Sequence, residues 1–145
     1  MAQSSRAEEE LRRLSMEMRY LEQTADALQQ RISMVNAALT DINYANMTLD
    51  GIEKEKESSE MLVPIGGSSY IKVKLADTNK VIIGLGSSVS VEKTLPEAKA
   101  ALKERLDELE KTMHSAQQQL SQVADRINSG RSRLESMLAA REGKQ

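Results

Sequence analysis

The chain has 145 residues, 29% of them charged, with a net charge of −2 and no Cys, Phe or Trp. That balance excludes disulfides, thiolate chemistry and a thick aromatic core, and it gives no electrostatic drive toward nucleic acid or an anionic membrane. Burial falls to Leu, Ile, Val, Met and Ala, and a composition rich in Ala, Glu, Lys, Leu and Arg favours long helices with a narrow apolar seam.

The first element is a helix over residues 6–57. Met1 to Arg6 leads straight into Glu8, Glu9 and Glu10 without an apolar stretch, so no secretory signal is expected. Apolar residues then recur at gaps of three and four. Leu11, Met18, Ala25, Ile32 and Leu39 form one heptad column, and Leu14, Leu21, Leu28, Val35, Ile42 and Leu49 form the other. A sustained period of 3.5 residues is the signature of a coiled coil. Asn46 falls on the seam, where it either fixes register or marks a seam that loosens near its end. From Glu53 to Ser59 the chain is polar and links the helix to the first strand.

Residues 61–92 read as four short strands in two hairpins. Met61 to Ile65 precedes the turn composition Gly66-Gly67-Ser68-Ser69. Tyr70 to Leu75 alternates, with Ile71, Val73 and Leu75 on one face and Lys72 and Lys74 on the other. Asp77-Thr78-Asn79 makes a second turn. Val81, Ile82 and Ile83 are apolar on both faces, and after Gly84–Ser87 a strand over Ser88–Glu92 turns Val89 and Val91 inward. Pro64 confines the first strand to an edge or an irregular pairing. The longest apolar stretch, around Val81–Leu85, is far too short to span a bilayer.

The third element is a helix over residues 94–142. Thr94-Leu95-Pro96-Glu97 reads as a capping box with Pro96 in the first turn. Leu102, Leu106, Leu109, Met113, Ala116, Leu120, Val123, Ile127, Leu134 and Met137 continue the heptad pattern, with Gly130 in the seam as a soft spot. Two heptad segments of matching length predict one domain over residues 1–145. Its fold class is α+β, mainly α: a long antiparallel two-helix coiled coil with two β-hairpins at the bend. Leu11 and Leu14 should then meet Leu134 and Met137, and Leu49 should meet Leu102; a parallel dimer through each helix is the competing arrangement, which the matching lengths disfavour.

Small hairpins cannot bury both faces themselves. Either they pack back on their own helices, or they form an oligomerisation hub. The hub reading assigns Leu62, Val63, Ile65, Ile71, Val73, Val81, Ile82, Ile83, Val89 and Val91 to contacts between subunits. Catalytic chemistry lacks raw material. His114, the one His, flanks the seam, and neither Gly66-Gly67-Ser68-Ser69 nor Gly84-Leu85-Gly86 has the Lys-Ser/Thr ending and following helix that cradle phosphate. No enzyme activity, metal or cofactor is expected.

The central stretch carries a specific resemblance. Leu62-Val63-Pro64-Ile65-Gly66-Gly67 through Lys72, Asp77-Thr78 through Val81-Ile82-Ile83-Gly84-Leu85-Gly86, and Val89 to Lys93 resemble successive runs of the prefoldin family. The sequence departs from that family at Ser68, where Gly is frequent, and at Ser87-Ser88, where Ala-Gly is common. Two hairpins rather than one resemble the archaeal α class. The resemblance implies a cytoplasmic, ATP-independent chaperone hexamer in which two α-type subunits assemble with four β-type subunits. It further implies capture of non-native polypeptides at the open ends of the coiled coils and their transfer to a group II chaperonin. On that reading Leu11, Leu14, Met18, Leu21, Ile127, Leu134, Met137 and Leu138 are the client-binding candidates; alternatively they only close the coiled coil. The rivals are a coiled-coil adaptor for fixed partners, and a paralogue that forms homo-oligomers or filaments.

Overall fold

The computed structural model describes residues 2–143. Helix α1 spans Ala2–Glu53, strands β1 to β4 span Glu60–Gly66, Ser69–Lys74, Lys80–Gly86 and Val89–Thr94, and helix α2 spans Leu95–Gly143. The order is the expected one, with shifted boundaries. α1 stops four residues earlier than the sequence suggests. Beyond Ile52 no seam residue holds it, and the Lys54 and Glu55 amides close short turns onto Gly51 and Ile52 instead. The last strand covers Val89–Thr94 rather than Ser88–Glu92, because Ser88 sits at φ 62° in the turn.

The chain divides into two compact units. One joins α1 up to Ala37 with α2 from Lys111 onward; the other is Ala38–Glu110. In the first, the two helix segments pair antiparallel along the heptad seam. Met18, Leu21, Leu28, Val35 and Ala116 are buried. Leu11, Leu14, Ala25, Ile32, Met113, Leu120, Val123, Ile127, Leu134 and Met137 are half-buried. Glu17 meets Arg126 at 3.5 Å and Glu8 meets Arg141 at 3.9 Å on the exposed flanks. Gly130 is more than a soft spot: Met18 packs against its bare Cα, and a Cβ there would collide with the Met18 sulfur. The glycine gives the opposing methionine its seat.

In the second unit, Leu49, Ile83, Leu95, Ala98 and Leu102 form the core, with Ile42, Ala45, Val81 and Ala101 packed against it. Leu49 and Leu102 come together as the heptads predict. Asn46 holds its seam position half-buried. Lys99 bridges the end of α1 to the start of α2, 2.9 Å from Asp50 and bonded to Glu53. Those two acids sit at a helix C-terminus, where the dipole disfavours them, and the lysine offsets both. At the start of α2 the Glu97 amide donates to Thr94 Oγ1 at 3.4 Å, the first half of the expected capping box.

The strands form two separate two-stranded antiparallel sheets, β1–β2 and β3–β4. They are copies of one design offset by twenty residues. Glu60 pairs with Lys74 and Lys80 with Thr94; Val63 pairs with Ile71 and Ile83 with Val91; Ile65 and Leu85 each fall at a register shift. Both turns place two central residues at positive φ, Gly67 (55°) with Ser68 (58°) and Ser87 (50°) with Ser88 (62°). That is the type I′ pattern matching the twist of a hairpin. Each ladder gains one further rung, Leu75 to Ser59 and Leu95 to Asn79.

Candidate functional site

Two surfaces carry the residues that the sequence singles out. The first is the pair of hairpins. Cross-strand register puts Met61, Val63, Ile71 and Val73 on one face of β1–β2, and Leu62, Pro64, Tyr70 and Lys72 on the other. In β3–β4, Val81, Ile83 and Val91 share a face opposite Ile82 and Glu92. The structure buries this second set unevenly. Ile83 is 6% exposed in the core, while its neighbour Ile82 is 76% exposed. Leu62, Ile65, Tyr70, Leu85 and Val89 are also exposed, and Val63, Ile71 and Val91 are partly so. Val89 and Val91, expected to point inward, thus remain open to solvent on this chain. The reason is that only the end of β3 nearest the helices reaches apolar cover. Of the ten hub candidates, Ile83 lies in the chain's own core with Val81 packed against that core, and Val73 is half-buried against Met61; the rest form an exposed apolar surface.

The second surface is the end of the first unit. Leu11 and Met137 line a groove of about 530 Å³ with Ala7, Ala140, Glu8, Glu10 and Arg141. Leu14 and Met137 line a smaller one of about 290 Å³ with Glu10, Arg13, Glu17 and Arg133. Leu11, Leu14, Ile127, Leu134 and Met137 are half-buried, Met18 and Leu21 are buried in the seam, and Leu138 is exposed. Thus the candidates combine an accessible rim with a covered interior.

Sequence reasoning missed two residues. Arg105, half-buried on α2, donates to the Gly84 carbonyl and so ties β3 to the helix. Lys99 clamps the helix ends. Neither is apolar, so the heptad pattern holds no signal for them. Among the described residues there is no cluster of three His, Cys, Asp or Glu able to hold a metal, and no helix is long and apolar enough to cross a membrane.

Two long helices paired antiparallel, with a pair of exposed apolar hairpins inserted between them, define a coiled-coil subunit. The family model described as prefoldin subunit matches residues 21–139. The chain belongs to the prefoldin family, whose members are chaperone subunits rather than enzymes. Prefoldin subunit alpha of Pyrococcus horikoshii is 34% identical over 88% of this chain and 84% of its own length. That of Methanococcoides burtonii is 30% identical over 87% and 91%. Among solved structures, the chain is similar to filamentous PFD from Methanocaldococcus jannaschii, with a TM-score of 0.67 at 20% identity over 77% of this chain and 92% of that one. It is also similar to the prefoldin beta subunit from Thermococcus strain KS-1, with a TM-score of 0.58 at 17% identity over 88% and 90%. At such identities these likenesses concern the fold.

Proposed function

We propose that the chain is the α-type subunit of an ATP-independent holdase, a cytoplasmic hexamer in which two α-type chains assemble with four β-type chains. Its hairpins join the subunits. Its coiled-coil end holds non-native polypeptides and passes them to a group II chaperonin. The observation that carries the reading is the hairpin surface. Leu62, Ile65, Tyr70, Ile82 and Leu85 lie exposed on ribbons whose outer edges are unpaired, a combination that favours aggregation unless another subunit covers it. Family membership supports the chaperone role.

At the helix end, Leu138 with the grooves around Leu11, Leu14 and Met137 supplies an apolar surface that adaptable Met side chains can fit to varied segments. Met18 and Leu21 would join it only when the helix ends part, a local opening common at coiled-coil termini. Several weak ends acting together supply avidity.

The test is light scattering from two unrelated denatured proteins diluted, without ATP, into this chain assembled with a β-type subunit. Suppression at near-stoichiometric amounts is expected. Replacing Leu11, Met137 and Leu138 together with Ser should remove suppression and leave the assembly intact. A well-formed complex without suppression would turn the reading to an adaptor of fixed partners. A chain that ignores β-type subunits and assembles alone would turn it to a homo-oligomeric paralogue.

A further inference from the structure

The two hairpins are built alike and held differently. The second is fastened to the helices three times. Ile83 lies in the core among Leu49, Leu95, Ala98 and Leu102; Arg105 donates to the Gly84 carbonyl; and the Leu95 amide, the first residue of α2, bonds to Asn79 at 2.8 Å. The first hairpin has none of these. Val63 occupies the place equivalent to Ile83 and is 40% exposed. Pro64 stands where Gly84 does, and no arginine reaches it. Leu75, equivalent to Leu95, bonds only to the linker at Ser58 and Ser59. Among the described residues, no hydrogen bond or ion pair ties Glu60–Lys74 to either helix.

We infer that the hairpins divide their roles: Lys80–Thr94 is anchored in the free chain, and Glu60–Lys74 is a loosely held ribbon that orders when a neighbouring subunit's hairpin pairs with it. This rests on the assembly reading above. A strand is the occupant that fits. The ribbon needs hydrogen-bond partners along an open edge as well as cover for Val63 and Ile71 on one face and Leu62 and Tyr70 on the other. A helix supplies cover alone; an added hairpin supplies both. A two-stranded ribbon standing alone is marginal in water, so its order should depend on that contact.

Hydrogen exchange followed by mass spectrometry tests this on the free chain, at a concentration where it is monomeric, and after mixing with a β-type prefoldin subunit. In the free chain the β1–β2 amides should exchange about tenfold or more faster than those of β3–β4, since protection tracks local opening. Mixing should slow β1–β2 by at least as much and change β3–β4 less. Arg105→Gln should move the second hairpin toward the fast exchange of the first. Equal protection of the two hairpins in the free chain overturns the inference, whatever assembly does. An intact asymmetry with no slowing of either hairpin on mixing overturns the docking half together with the assembly reading.

Discussion

At the scale of single residues, the seam is decided by pairs. Gly130 and Met18 form one such pair across the first unit. Helix propensity alone would reward Gly130→Ala with about 1 kcal/mol. The new Cβ, however, takes the space of the Met18 sulfur, so the gain should fail to appear in the native background and emerge once Met18 is Ala. A double-mutant cycle by chemical unfolding should show a coupling of about 1 kcal/mol. The hairpin turns make a second case. Ser68, Ser87 and Ser88 adopt positive φ without glycine's freedom, at a cost of about 1 kcal/mol each. Ser87→Asn with Ser88→Gly supplies the residues a type I′ turn prefers and should raise the protection of β3–β4 amides severalfold. Lys99 makes a third. Hydrogen bonds to Glu53, then to Asp50, raise its pKa above the ordinary 10.5. The folded chain therefore holds that proton more tightly than the unfolded chain. The stabilisation is complete below pH 10.5 and is lost as pH climbs through the raised value. Thermal unfolding of the native chain and of Lys99→Met should differ at neutral pH and converge in alkali.

At the scale of elements, adjacent residues of β3 should separate folding from the proposed assembly. Ile83 is packed among leucines, so Ile83→Ala should cost about 2–4 kcal/mol in the free chain. Ile82 points away, so Ile82→Ala should cost less than about 0.5 kcal/mol and instead weaken binding of a β-type subunit. This contrast also marks how far the sequence could be read. The heptad columns predict both helices and the pairing of Leu49 with Leu102, because a repeat of 3.5 states which face is buried. Alternation and Gly-Ser turns predict four strands in two hairpins. Val81-Ile82-Ile83 offers nothing to say which isoleucine meets the helices, for that depends on how a ribbon lands on a surface made by residues far away in the chain. Gly130 likewise reads as weakness in one dimension and as a seat for Met18 in three.

At the scale of the whole molecule, the proposed client-binding residues work either as they stand or only after movement. Met18 and Leu21 are buried in the seam, whereas Leu138 lies open. If capture uses the seam, the helix ends must separate, and the Glu8–Arg141 pair at 3.9 Å lies across that opening. An exposed ion pair of this kind contributes little, so it does not hold the ends shut. A covalent bridge would. The chain contains no cysteine, so Glu8→Cys with Arg141→Cys creates the only two thiols. A bifunctional thiosulfonate of matching length would then join α1 to α2 and be released by reductant. In the assembled complex, the bridged form should lose most of its suppression of client aggregation while keeping its hairpins paired, and reductant should restore it. Full suppression by the bridged complex would assign capture to Leu138 and the grooves around Leu11 and Met137 alone, and would return Met18 and Leu21 to a purely structural place in the coiled coil.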